Sequence, residues 1–241
     1  MRRLALNLLA LVLVVAFCAL GRWQLGREQV KREQLAAAEA ALVAAPQPLA
    51  AALAAPAPPG FHAVRVEGRA RFGGAPVWLD NQRRGQAVGV RLYCVATPLA
   101  GADAPAAAPL LVDLGWLPLP GDRTLPGAAC PQGEHPLAGL LVPPPATGLV
   151  LGPGVEQKGG AWLATRIDPA QLAGVLAAPG LADRVLRLDP ALPLGFERDL
   201  EMLANTLPPE RHRGYAVQWF GLAATLAIIA VVLNLRRKSR S

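Results

Sequence analysis

Residues Leu4–Leu20 read LALNLLALVLVVAFCAL, and residues Ala216–Leu235 read AVQWFGLAATLAIIAVVLNL. Asn7 is the only strongly polar residue of the first run; Gln218 interrupts the second and Asn234 closes it. About 20 apolar residues cross a bilayer core as a helix, so the second run fits and the first is just long enough. Read as two spans, they turn residues 21–215 into a domain-sized segment between membrane crossings. They also account for a 241-residue chain that is 53% hydrophobic and 17% charged, where soluble domains carry about 25% charged residues. The apolar fraction excludes disorder, and the long polar middle excludes a many-span transporter.

The net charge of +7 does not make this a nucleic-acid binder. Arg2, Arg3, Arg236, Arg237, Lys238 and Arg240 sit at the two ends, and without these six the charge of residues 4–235 is +1. That leaves no electrostatic footprint for a phosphate backbone. It is instead a positive-inside pattern, with both termini cytoplasmic and the middle translocated. Arg22, Arg27, Lys31 and Arg32 follow the first span closely and weaken its asymmetry. The second span is clearer, with four basic residues after it against Arg211 and Arg213 before it.

The first run also has the basic n-region of a secretory signal, with Ala19-Leu20-Gly21 as a weak cleavage site. Its length exceeds the usual signal core of about 7–15 residues, which favours an uncleaved anchor. Phe17 before Cys18 does not fit a lipoprotein box, and a span starting at Leu4 leaves no room for a transit peptide. The Ala/Pro/Arg-rich composition, with only three lysines, suits a bacterial protein.

The expected fold is a membrane α+β protein: two transmembrane helices flanking a mostly antiparallel β domain, a small barrel or sandwich. After the cytoplasmic tail 1–3 and the span 4–20, residues 21–43 are rich in good helix formers and continue the helix. Residues 44–60 form an Ala/Pro linker. In the β-rich domain, residues 61–207, Val64–Phe72 alternates strictly, with Val64, Val66, Gly68, Ala70 and Phe72 against Arg65, Glu67, Arg69 and Arg71. That period marks a strand with one wet face. Further strands are expected at Pro76–Asn81, Val88–Thr97, Leu110–Gly115, Leu137–Val142, Ala161–Ile167 and Arg184–Leu188, among turns such as Leu119–Gly127 and Pro143–Gly154. Asp168 and Pro169 open a short helix to Ala178, stopped by Pro179-Gly180. The interfacial segment 208–215, the span 216–235 and the basic tail 236–241 complete the chain.

No enzyme is expected. Serine occurs only at Ser239 and Ser241, which removes the serine hydrolases. His62, His135 and His212 form no zinc-binding spacing, and there is no phosphate-binding loop. Carboxylates such as Asp199 and Glu201 are ordinary solvated pairs at that spacing. Cys18 reads as a small buried hydrophobe in the first span. An oxidising compartment would permit a Cys94–Cys130 disulfide, and two unpaired thiols fit the sequence equally well.

The informative neighbourhood precedes the second span: PPERHRGYAVQWF, Pro208–Phe220. In the proposed topology it shares the outer membrane face with Gly21-Arg22-Trp23-Gln24. The two stretches combine His212, the guanidinium groups of Arg22, Arg211 and Arg213, and the rings of Trp23, Tyr215 and Trp219. A haem needs such a set: an axial nitrogen, cations for propionates and apolar surface for the macrocycle. Interfacial anchoring at the lipid headgroups accounts for the same residues and is the default.

The chain resembles the surfeit locus protein 1 family of cytochrome oxidase biogenesis factors over nearly its whole length. The markers are Gly21-Arg-Trp-Gln-Leu25, Phe61-His-Ala-Val-Arg-Val-Glu-Gly68, Trp78-Leu-Asp-Asn81, Thr97-Pro-Leu99, Gly115-Trp-Leu-Pro118 with Asp122-Arg123, Gly195-Phe196 and Arg211–Phe220. The resemblance implies two helices around an extracytoplasmic β domain and a non-enzymatic part in assembling haem–copper oxidase, with subunit I and other assembly factors as partners. It further implies that haem a is held at the periplasmic membrane face, with His212 as ligand to the haem iron. The other implied reading is a scaffold for a subunit I intermediate that never touches haem. One departure stands out: Asp113-Leu114-Gly115-Trp116 replaces the family's usual Asn-Arg-Gly-Trp, losing a cation. Gly115-Trp116 is expected to form a turn with a core tryptophan, and Asp122-Arg123 a local turn pair. Gly21 and Gly214 would permit close helix approach.

Overall fold

From Arg2 to Val43 the chain forms one helix, α1, and from Pro209 to Lys238 another, α4. The computed structural model describes residues 2–99, 107–146, 152–200 and 207–238. Part of the expected Pro143–Gly154 turn, Glu201 and the tail residues Ser239, Arg240 and Ser241 lie outside the described residues. Two compact units emerge: Met1–Leu35 with Thr206–Ser241, and Ala36–Asn205.

In the first unit, α1 is an unbroken run of helix formers that ends where Pro46 would forbid continuation. Pro209 opens α4 with a preset φ, and Glu210 in its first turn suits the helix dipole. The less exposed positions of α1 within this unit include Ala10, Val14, Phe17, Gly21, Gln24, Glu28 and Lys31. Those of α4 include His212, Ala216, Trp219, Ala223, Leu226 and Ala230. Both series step by three and four residues, the seam of an antiparallel helix pair. Across it Asn7 meets Asn234, Phe17 stacks on Trp219 at 5.6 Å, and Gln24 meets His212. Gly21 accepts the Phe220 ring, whose atoms would lie 2.8–3.0 Å from any Cβ there. Gly214 has nothing within 4 Å of such an atom, so its expected packing role is not met. Large apolar side chains face outward, among them Leu4, Val12, Val217 and Ile228, each more than 60% exposed. Helices apolar on their outer faces are long and apolar enough to cross a membrane. Cys18, expected to be buried, is exposed on α1.

The second unit is built on β1 (Gln47–Pro48), α2 (Leu49–Ala54), β2 (Val64–Arg84), β3 (Ala87–Pro98), β4 (Leu110–Pro118) and β5 (Gly133–Val142). It continues through β6 (Val155–Lys158), β7 (Ala161–Ala164), α3 (Pro169–Val175) and β8 (Val185–Leu188). The sheet order is β3-β4-β8-β5-β2-β7-β6, with β1 on β2 and a further β2–β3 ladder. The expected small barrel or sandwich is corrected to one mixed sheet, in which antiparallel ladders are the majority. β1–β2, β2–β7 and β4–β8 run parallel, whereas β2–β3, β2–β5, β3–β4, β5–β8 and β6–β7 run antiparallel. The two strands expected at Val64–Phe72 and Pro76–Asn81 are one long strand, β2. Its ladder to β3 shifts register between Gly73 and Val77, where Gly74 has φ +83°.

Successive residues of the same strands serve opposite faces, as the pleat demands. Val66, Ala70, Phe72, Trp78, Leu92, Val112 and Leu114 lie in one apolar cluster. Val77, Leu79, Tyr93, Leu111, Leu140 and Val185 lie in the other, with Leu172 of α3. Asp168 caps α3, its Oδ1 accepting from the backbone N–H groups of Ala170 and Gln171 at 3.1 and 3.2 Å.

The Ala/Pro stretch read as a linker carries β1 and α2. Leu49, Ala52 and Leu53 of α2 are buried in the first cluster, with Leu49 over Gly68. Buried Arg184 closes the helix end, donating from Nη1 to Ala52 O and from Nη2 to Leu53 O and Ala55 O, each at 2.9 Å. The disulfide question is settled in the molecule: Cys94 and Cys130 are bonded, their Cα atoms 5.7 Å apart.

Candidate cofactor site

His212 sits one turn inside α4, on the seam, and only 7% of its surface is exposed. Ala216 follows it on the same face and is too small to displace it. Opposite, Gln24 occupies the matching seam position of α1, with His212 Nδ1 2.7 Å from its Oε1. An amide oxygen only accepts, so a neutral ring making this contact donates from Nδ1–H and leaves the lone pair on Nε2. Nε2 is not among the buried, unpartnered side-chain atoms of the described residues. Glu28 and Lys31 continue the α1 seam beyond Gln24 as buried charged side chains, and Arg32 Nη2 pairs with Glu28 Oε1 at 2.7 Å.

The other residues singled out in the sequence lie around this pair rather than in it. Arg211 and Arg213 flank His212 about 100° to either side on the helix, and both are exposed. Arg22 is exposed, and Trp23 is 58% exposed. Tyr215, near the His212 face, is 39% exposed, while Trp219 is half-buried against Phe17. The structure thus joins His212 to Gln24 and Trp219 to Phe17. It gives Arg22, Trp23, Arg211, Arg213 and Tyr215 no seat beside His212 on the seam. The sequence reading gives Gln24 no role. The signal for it is the polar series Gln24, Glu28 and Lys31, spaced four and three on one helix face.

A second polar cluster lies in the sheet unit, and sequence reasoning assigned it no role. Asp113 Oδ2 on β4 receives Arg91 Nη1 from β3 at 2.8 Å and lies 3.7 Å from Arg187 Nε of β8. Its Oδ1 accepts from the Gly115 N–H at 3.0 Å. The departure at 113–114 is therefore explained by packing. Leu114 fills the first apolar cluster, while Asp113 lies on the other side of the strand against two guanidinium groups. Gly115-Trp116 is not a turn but part of β4. Gly115 has φ +112° and approaches the Phe196 and Glu197 carbonyls so closely that a Cβ would lie 2.8–2.9 Å from them. Trp116 Nε1 donates to Gln82 O at 2.9 Å. Arg123 pairs with Asp80 of β2 at 2.7 Å, not with Asp122, whose Oδ1 accepts from the Thr124 N–H. Among the described residues, no group of three or more His, Cys, Asp or Glu comes together to hold a metal ion.

Two long apolar helices near the chain termini, with a mixed-sheet unit between them in sequence, are compatible with a two-pass membrane protein. The model of the SURF1 family matches residues 11–224, which include Gln24, the whole sheet unit and His212. The chain belongs to the SURF1 family, an assembly-factor family associated with cytochrome oxidase assembly rather than a known class of enzyme. No curated protein matches the chain.

Proposed function

We propose that this protein holds haem a at the periplasmic membrane face and helps its insertion into cytochrome oxidase subunit I, in company with other oxidase assembly factors. In this reading both termini are cytoplasmic and the sheet unit is periplasmic, in the inner membrane of a bacterium. Family membership supports the oxidase, and the Cys94–Cys130 bond fits an oxidising compartment. The observation that carries the haem reading is the 2.7 Å contact between His212 Nδ1 and Gln24 Oε1. An axial histidine needs one nitrogen with a lone pair and the other N–H held by an acceptor, and this pair supplies both.

Haem is the cargo here. His212 would take its iron through Nε2, and the exposed Arg211, Arg213 and Arg22 offer cations for the propionates. Trp23, Tyr215 and Trp219 offer apolar surface near the same end of the helix pair. The burial of His212 in the seam also supports the scaffold reading, in which it only joins the helices.

The absorption spectrum of detergent-purified protein from a haem-a-synthesising host separates the two. A reduced haem a band in the wild type, absent from a folded His212→Ala variant, is the expected result. A band that survives His212→Ala would remove His212 as ligand. No band in either protein, with subunit I co-purifying, would replace cargo handling by scaffolding.

A further inference from the structure

An imidazole in water exchanges its single proton between two nitrogens, and only the unprotonated one can coordinate a metal. In the helix seam that choice is constrained. His212 is 7% exposed, and Gln24 places an acceptor-only oxygen 2.7 Å from Nδ1. Gln24 stays opposite His212 because the register of the helix pair is fixed elsewhere. Asn7 and Asn234 exchange amide hydrogen bonds at 3.1 and 3.5 Å near the other end of the seam. A polar pair in an apolar seam specifies register, since any slip would break both bonds between the two amides. Phe220 over Gly21 and Trp219 against Phe17 fill the interval between the two polar pairs.

We propose that Gln24 is a positioning residue for His212: it holds the ring as the Nδ1–H tautomer and fixes its orientation, so that Nε2 is the nitrogen presented to a metal-centred ligand. This rests on reading His212 as the haem ligand, but its first readout needs no haem. Gln24 touches no cargo; it acts through the ring it holds.

The test uses the full chain in detergent micelles with nitrogen-15-labelled histidine, at alkaline pH where the ring is neutral. His212 is assigned by the signal lost in His212→Ala. The wild type is expected to show an Nδ1–H, Nε2-unprotonated ring. Gln24→Leu removes the acceptor and is expected to lose that pattern, while Gln24→Glu retains an acceptor and keeps it. Far-ultraviolet circular dichroism checks that each variant keeps its helices, and Gln24→Glu shows whether a change follows the lost acceptor rather than lost packing. Haem a is then titrated into the same samples. Gln24→Leu is expected to bind about 10–100-fold more weakly, the usual cost of removing a group that holds a metal-bound histidine, and Gln24→Glu to bind like the wild type.

A wild-type ring protonated at Nε2, or a tautomer unchanged in Gln24→Leu, overturns the proposal. Equal haem affinity in the wild type and Gln24→Leu, with the tautomer altered, also overturns the link between ring and ligand. A tautomer that responds as expected, with no haem bound by any sample, upholds Gln24's hold on the ring and overturns only the haem reading.

Discussion

Arg91 on β3 and Asp113 on β4 form an ion pair at 2.8 Å with side-chain exposures of only 10% and 3%. Burial works against the charge on Arg91, but the Asp113 carboxylate, together with Tyr93 and Asp199 nearby, outweighs it and raises the arginine's pKa. The carboxylate is a hub, because Arg187 lies near the same oxygen and the Gly115 N–H donates to the other. Removing one member of such a pair leaves an uncompensated buried charge. Asp113→Ala is expected to destabilise the folded chain by about 3–5 kcal/mol, whereas the apolar pair Arg91→Met with Asp113→Leu costs less than the two single changes summed. Denaturant unfolding of the wild type and these variants in detergent checks this, and additive losses would show that the two groups do not act as a pair.

Tyr93 gives the same cluster a pH dependence. Complete burial, and then the nearby Asp113 carboxylate, push its hydroxyl pKa well above the ordinary value of about 10. Folding therefore favours the neutral phenol. The stability this confers is fully present below about pH 10 and is lost as pH rises further, at about 1.4 kcal/mol per pH unit. Unfolding midpoints measured from pH 9 upward should fall more steeply in the wild type than in Tyr93→Phe. Parallel curves would mean that Tyr93 ionises as readily folded as unfolded.

The Cys94–Cys130 bond closes a 36-residue separation across the segment that leads from β3 through β4 to the start of β5. By the chain-entropy estimate, closing such a loop contributes about 4 kcal/mol through the unfolded state. Cys94→Ala with Cys130→Ala should lower stability by up to that amount, and mass spectrometry of protein from the native membrane should find neither thiol alkylatable before reduction. Full alkylation without reductant would place the sheet unit in a reducing compartment.

Gly21 and Phe220 make the helix pair sensitive to a single methyl group. A Cβ at position 21 would come within 2.8 Å of the Phe220 ring. Gly21→Ala is expected to cost about 1–3 kcal/mol, as overpacking does, and Phe220→Leu to recover part of it. Thermal unfolding of the single and double variants measures the coupling. If the second change brings no recovery, the ring is not what the methyl group meets.

The parts of this fold legible in the sequence are those with a local period. Val66, Ala70 and Phe72 are buried while Glu67, Arg69 and Arg71 are exposed, as their alternation requires. Asp168 and Pro169 start α3 because cap chemistry acts within three residues. The α2 helix was hidden because Ala/Pro composition describes chain stiffness and says nothing of Arg184, which closes it from about 130 residues away. The parallel ladders were hidden for the same reason, since β2 and β7 are separated by β3, β4, β5 and β6. At the candidate site, residue type singled out His212, but its partner lies 188 positions away in the chain. Arg91 and Asp113 carried a readable hint, each a lone charge inside an otherwise apolar strand and of opposite sign.

The long strand β2 is laddered to β1, β3, β5 and β7, and β8 lies between β4 and β5, pairing with both. As the chain emerges from its N-terminal end, β2 and β3 can pair early. The sheet cannot finish until Leu188 has followed, which makes long-range closure the slow event of its folding. Until then β4 and β5 each present an unfinished edge, open to other chains. A nascent chain halted before Val185 is accordingly a substrate for proteases and holdases rather than a smaller working domain.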